Sequence, residues 1–566
     1  MSGTLHRLKF TTALIAAGLL AQTALTSGAM AQDQDRKALL EEHSGGTMIL
    51  SAVSAAGTID PQVNYTAQFW QVFQMLYDGL VKFKQASRSE GFEIVPDLAE
   101  AIPEPQDGGK TYVFKLRDGI KFADGSDMTP KDVVASFQRI FKINGPTSGS
   151  FYNNIVGADK CLADGESCTL EGGIVADEEA GTVTFHLVQP DSEFFDKLAV
   201  PHASILPSET AASDAGTTYI PGTGAYVIES YDPNDKMVIK RNPHFEEWSV
   251  DAQPQGFPDE IVYRFGMKEE SAINAIQNDQ IDWMFDPPPA DRLNELGTNY
   301  ADQVHVNPLA AFWYAPMNTN LAPFDNLKVR QAVNFAIDRD ALVNIYGGPV
   351  LAQPTCQILP PDFPGHVDSC LYTKDPGTTW SAPDMEKAKQ LVEESGTAGQ
   401  KVTVVAEDTA TSRAIGTYLQ SVLSELGYDA TMQAISPNIQ FTYIQNTDNK
   451  VQISVSQWFM DYPQASNFLN VLLSCASFTP GSDSSINIAG YCNKDLDSQM
   501  AKAMQTAVTD PQAANEMWAK LDKAYMEEAP VAPLFTPKNV DFVSKRVGNF
   551  IFSNQFRWVI DQSWVE

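Results

Sequence analysis

SVSQWFMDYPQASNFLN (Ser454–Asn470) joins an apolar, strand-like run to a turn-rich segment and delivers Trp458 and Asp461 at the junction. Ligands of open α/β sheets collect beyond the carboxyl ends of the strands, so a tryptophan and a carboxylate placed there mark a candidate cleft. The surrounding sequence supplies such a sheet. Residues 383–395 read as a helix closed by Gly396, and Lys401–Glu407 (KVTVVAE) reads as a strand. Thr411–Leu426 carries Ile415, Leu419, Val422, Leu423 and Leu426 on one helical face and is stopped by Gly427. A strand over residues 428–435, a short helix after Pro437 and a strand over residues 451–459 follow. This alternation predicts a largely parallel sheet with helical cover, bringing Asp461 and the Glu407–Arg413 loop to one sheet edge.

The first half follows the same grammar. Residues 47–54 (TMILSAVS) read as a strand, Asp60-Pro61 as a loop and residues 66–80 as a helix with Phe69, Phe73, Leu76 and Leu80 at helical spacing. Asn64, Tyr65 and Thr66 then lie between a strand end and a helix start. Period-two alternation over Lys110–Ala123, interrupted at Asp118-Gly119, predicts a hairpin. Thr129-Pro130 opens a helix through Phe141, with threonine as N-cap and proline in its first turn.

His6, Arg7 and Lys9 precede the apolar run Thr11–Leu25, and Ala29-Met30-Ala31 offers the small residues a signal peptidase accepts. Residues 1–31 are therefore expected to be a secretory signal peptide cleaved after Ala31, with residues 32–44 a flexible arm. The run is short for a bilayer span, which needs about 20 apolar residues. No cysteine lies near the cleavage point to carry a lipid, so a soluble periplasmic protein is expected.

The chain carries 39 Lys+Arg against 71 Asp+Glu, and its first 31 residues hold two of the basic residues and none of the acidic ones. Such an acidic surface repels phosphate backbones and anionic lipid, which excludes nucleic acid as a partner. A length of 566 residues exceeds one core, since domains run to roughly 100–200 residues. Six cysteines fall into the close pairs Cys161/Cys168, Cys356/Cys370 and Cys475/Cys492. In an oxidising compartment they read as disulfides, with local pairing favoured although spacing leaves other connectivities open. Zinc spacings are absent and the histidines are scattered, so neither metal nor cofactor is expected. Gly109-Lys110-Thr111 leads into a strand where a phosphate loop requires a helix, and no GxSxG or HExxH motif occurs, so an enzyme is not expected.

Eight segments resemble the family 5 extracellular solute-binding proteins of ABC importers, the group that includes dipeptide- and oligopeptide-binding proteins. They are IDPQ (Ile59–Gln62), YDGLV (Tyr77–Val81), PDLAE (Pro96–Glu100), YVFKLRDGIKFADGSDMTPKDV (Tyr112–Val133), PGTGAY (Pro221–Tyr226), RNPHF (Arg241–Phe245), PFDNLKVRQAVNFAIDRDALV (Pro323–Val343) and WFMDYPQASNFLN (Trp458–Asn470). The resemblance implies an α/β fold of the periplasmic-binding-protein type (cluster C), a two-lobed flytrap with an additional third domain. Lobe I would comprise residues 45–84, 211–311 and 534–566; the extra domain II residues 85–210; and lobe III residues 312–533. The hinge would lie near Phe312 and Pro533.

The resemblance also implies roles. In peptide-binding members the aspartate of a W-x-x-D-Y pattern pairs with the ligand's α-ammonium, and here that residue is Asp461. Trp458 would wall the cleft, and Asn64, Tyr65 and Thr66 would supply contacts from lobe I, Tyr65 standing where some relatives carry an acid. Arg413 would face the ligand's carboxylate and Trp313 the lobe crossing. Cys475/Cys492 resembles a disulfide of the dipeptide-binding side, whereas Gln464-Ala465 departs from the commoner DYPDP continuation. The expected partners are a small peptide, or another small solute such as an opine or oligosaccharide, and ABC permease subunits with their ATPases. The binding protein would act as a monomer. An exported chaperone or hydrolase is the alternative from another class.

Overall fold

The computed structural model describes residues 36–566 apart from 56, 437–439 and 482–484. The expected signal peptide and its cleavage point at Ala31 lie outside the described residues, as does Pro437. Residues 36–43, expected within a flexible arm, are helical. Their anchor is Arg36, which donates to Glu247 (3.0 Å), Gln562 (3.1 Å) and the Gln255 carbonyl (2.8 Å). His43 stacks on Trp564 at 4.0 Å.

The first sheet has five strands in the order Trp283–Met284, Thr47–Ala52, Glu260–Phe265, Lys236–Arg241, Tyr226–Asp232. Its first two pairings are parallel and the others antiparallel. Helix Ala67–Phe73 follows the loop at Asp60, with Thr66 as its N-cap. It stops short of the Leu80 predicted by periodicity because the Met75 and Leu76 carbonyls accept from Tyr226 and Gly224 of the strand entrance instead of from a further helical turn.

The segment 85–210 forms a three-stranded antiparallel sheet with helix Pro130–Lys142 packed on it. Asp132 accepts from both the Thr129 amide and hydroxyl at 2.8 Å, closing the capping box. The predicted hairpin does not form. Thr111–Lys115 pairs with Thr182–His186, because alternation establishes a strand without naming its partner, and residues 120–123 turn away to bridge Asp127. One continuous buried cluster runs from Met48 through Phe114 and Phe185 to Trp558, so this segment shares an apolar core with the first sheet, and the buried Asp60–Arg139 ion pair is set between the two.

In the second half, Lys401–Glu407 lies between Asp429–Ile435 and Ile453–Ser454 in a parallel sheet. Helices Met385–Ser395 and Ala410–Glu425 accompany it; Gly396 takes a left-handed φ of 67° where the first of them ends. The predicted single strand over residues 451–459 is divided. Ile453–Ser454 belongs to the parallel sheet, but Ser456–Phe459 departs to pair antiparallel with residues 311–314 of strand Ala311–Pro316. Ser454 and Ser456, both fully buried, leave room for the strand to change sheets at Val455.

Two adjacent antiparallel segments connect the first half to the second. Strand Val531–Phe542 pairs with Val304–Pro308 along its C-terminal part and with Ala311–Pro316 along its N-terminal part. The bridge Trp283↔Val543 carries it to the edge of the first sheet. All three disulfides are local: Cys161–Cys168, Cys356–Cys370 and Cys475–Cys492. Among the described residues no helix is long and apolar enough to cross a membrane.

Candidate functional site

The loop leading into helix Ala67–Phe73 is held from below. Asp60, fully buried, receives the guanidinium of Arg139, which also donates to Gln62 (2.9 Å) and to the carbonyls of Ala211 and Ser213 (both 2.7 Å). The Asn64 carbonyl accepts from Trp70 Nε1 (2.9 Å) and His202 Nε2 (3.0 Å). Burial pushes the His202 imidazole down to about 4, so it stays neutral at physiological pH. With Asn64 buried, Tyr65 is turned outward: its ring lies on Trp70 and edge-on to His202 and is 44% exposed.

Asp461 meets this loop from the other half of the chain. One carboxylate oxygen accepts from the Tyr65 hydroxyl at 2.6 Å, the other from Asn467 Nδ2 at 2.9 Å, and the Asp461 amide donates back to Asn467 Oδ1. Gln555 Nε2 donates to the Asp461 carbonyl at 3.1 Å. Burial raises the carboxyl above its ordinary range, and the hydrogen bonds from Tyr65 and Asn467 pull it back. Among the described residues no lysine, arginine or histidine forms an ion pair with it. A desolvated carboxylate with only neutral donors is matched by an incoming cation, because a charge taken from water is costly until it is paired.

Between these loops lies a cavity of about 660 Å³. Tyr65 and Thr66 line it from one side, Phe459, Met460 and Asp461 from the other, and Gln555–Arg557 close a third wall. Phe285, Leu309 and Tyr346 add apolar surface, so polar contacts at a few points fix orientation while the remainder accepts varied apolar groups.

Several expected contacts stand elsewhere. Asn64 is buried beneath the cavity wall. Trp458 lies opposite Phe312 and packs against the core of the second half, its Nε1 buried without a hydrogen-bond partner; the neighbouring Phe459 reaches the cavity instead. Trp313 is enclosed by Tyr346, Phe459 and Phe535. Arg413, expected in a loop, lies in the first turn of helix Ala410–Glu425 and forms an exposed ion pair with Asp408, while Thr411 of the same turn reaches the lining. Sequence reasoning missed Gln555, Phe556 and Arg557, which lie far along the chain from Tyr65 and Thr66 and carry no motif.

Directly after Asp461 the chain grips the segment 191–197. The Tyr462 hydroxyl donates to Glu193 at 2.8 Å, Ser466 donates to the same carboxylate, and Gln464 donates to Asp196 at 3.1 Å. Lys197 pairs with Asp191 (2.8 Å) and Glu193 (3.3 Å). Asp196 is pushed up to about 7, first by burial and then by the adjacent Glu193. A carboxyl raised in the folded state stabilises fully below its unfolded value near 3.8 and loses that contribution as pH climbs through about 7. The melting temperature is therefore expected to fall more steeply in wild type than in Asp196→Asn from about pH 4 to about pH 7. Parallel melting curves would contradict this role for Asp196.

The family described as "Bacterial extracellular solute-binding proteins, family 5 Middle" matches residues 93–480. The periplasmic oligopeptide-binding protein OppA of Escherichia coli (strain K12) is 25% identical over 552 residues, covering 95% of each chain. The glutathione-binding protein GsiB of Salmonella typhi is 26% identical over 515 residues, covering 89% of this chain and 91% of its own. Among solved structures, the clavulanic acid biosynthesis oligopeptide binding protein 2 superposes with a TM-score of 0.83 at 22% identity, covering 92% of this chain and 96% of that one.

Proposed function

The chain belongs to the family 5 bacterial extracellular solute-binding proteins, and we propose that it captures peptides, from dipeptides to oligopeptides, in the periplasm and delivers them to an ABC permease. The observation that carries this reading is the Asp461 carboxylate, set at the cavity with neutral donors from Tyr65 and Asn467 and, among the described residues, no ion-pair partner. A peptide's α-ammonium supplies the missing charge, and the Tyr65 oxygen, which keeps lone pairs after donating, accepts a second ammonium hydrogen. The relatives named for oligopeptide and glutathione binding support a peptide-like ligand.

In this reading lobe I (residues 45–84, 211–311 and 534–566), with domain II (85–210) packed on it, closes against lobe III (312–533) about the crossing strands. The closed monomer is the form the permease recognises, and its ATPase partners act through that permease. Thr66 joins Tyr65 on the lobe I wall, whereas Trp458, Trp313 and Arg413 support the fold around the cavity.

The protein without residues 1–31 is tested by thermal shift and tryptophan fluorescence against di- to hexapeptides, oligosaccharides and opines. Stabilisation by peptides is the expected result. Silence toward every peptide, with a response to a sugar or opine, would overturn the peptide assignment while leaving the family intact.

A further inference from the structure

Two cationic side chains line the cavity, Lys538 and Arg557, and their surroundings differ. Arg557 already faces carboxylates, although its buried Nε has no hydrogen-bond partner among the described residues. Its Nη2 donates to Asn539 (2.7 Å) and to the Phe285 carbonyl (3.2 Å), its guanidinium lies over the Phe285 ring at 4.5 Å, and the buried Asp541 carboxylate stands 3.8 Å away. Asp286, also in the lining, feels the same guanidinium. Two carboxylates thus share one arginine, and a further anion arriving there meets net repulsion.

Lys538 has no such company. It interrupts the otherwise buried strand Val531–Phe542 and is itself half-buried at the cavity. Its Nζ donates to the Pro349 carbonyl at 3.0 Å, and among the described residues no carboxylate pairs with it. An ammonium has three donors, so a neutral carbonyl leaves most of its capacity free. Among the described residues, Asp461, in the turn after strand Ser456–Phe459, and Lys538, on strand Val531–Phe542, are therefore an anion and a cation of one cavity wall without ion-pair partners.

We propose that Lys538 is the specificity-determining residue for the ligand's carboxylate, making the cleft selective for zwitterionic peptides with a free C-terminal or acidic side-chain carboxylate. The assignment rests on the peptide reading above. Arg413, held by Asp408 outside the lining, is replaced in that role by a lysine on the crossing strand, where the ligand's charge and the lobe connection meet.

The test measures dissociation constants for the di- to hexapeptide panel, each member as free acid and as C-terminal carboxamide, using the protein without residues 1–31. Wild type is expected to prefer the free acids by at least about tenfold, the range of a charge-assisted hydrogen bond. Lys538→Met lowers free-acid affinity to that of the carboxamides and leaves carboxamide affinity unchanged, whereas Lys538→Arg keeps the preference. Unliganded melting temperatures verify that both variants fold. Equal binding of acids and amides by wild type, or a preference surviving in Lys538→Met, would overturn the proposal with peptide binding intact. Failure of both forms to bind would remove the peptide reading and this assignment with it.

Discussion

Asp461→Ala is expected to weaken peptide binding by about two to four orders of magnitude, with the unliganded fold retained. Removing one partner of a desolvated, hydrogen-bonded charge pair costs about 3–5 kcal/mol, and about 1.4 kcal/mol is tenfold in affinity. The side chain meets the rest of the protein through Tyr65 and Asn467, both neutral, so its loss exposes no buried countercharge in the free protein. The predicted damage therefore falls on binding. Asp461→Asn sharpens the comparison: the amide oxygen still accepts from Tyr65, but the negative charge is gone. If Asn preserves wild-type affinity, the carboxylate is a hydrogen-bond acceptor and not the counterion of an amine. Isothermal titration with one peptide across the three proteins decides between these outcomes.

Arg139→Met is expected to destabilise the protein by about 3–5 kcal/mol, since it leaves the Asp60 carboxylate buried without its cation. The same guanidinium holds Gln62 and the carbonyls of Ala211 and Ser213, so the loop that presents Tyr65 loses several supports together. Weakened peptide binding accompanies the loss of stability. The double variant Asp60→Asn with Arg139→Met recovers part of the stability, because neither charge is then stranded. Urea unfolding of the variants provides the measurement. An Arg139→Met midpoint within error of wild type would show that solvent or other donors satisfy Asp60.

The local elements of this chain were legible because their signals are local. Thr129-Pro130 with Asp132 three positions on spells a capping box, Gly396 and Gly427 mark helix ends, and the cysteine pairs close over short distances. Asp461 stands out in the sequence by its place after an apolar strand, and the fold sets it at the cavity. Long-range pairing was not legible: the alternation in Thr111–Lys115 suits a local hairpin and a partner near residue 184 equally well. The change of sheets at Val455 likewise leaves no mark in a run of alternating small and apolar residues, which is why Phe459 and not Trp458 faces the cavity. The wall formed by Gln555–Arg557 is assembled by the final fold alone. Lys538, a lone cation in VAPLFTPKNVDF, was visible but has meaning only once that strand is seen to cross at the cleft.

Capture of a peptide's free α-ammonium by Asp461, as proposed, depends on that one positive charge. Its most direct test is isothermal titration of wild-type protein with a bound peptide and its N-acetylated form, identical except for that charge. Acetylation is expected to reduce affinity by at least about a hundredfold, and the two peptides are expected to bind Asp461→Ala alike. Equal affinity of wild type for both would contradict it and place the recognition of the ligand elsewhere in the cavity.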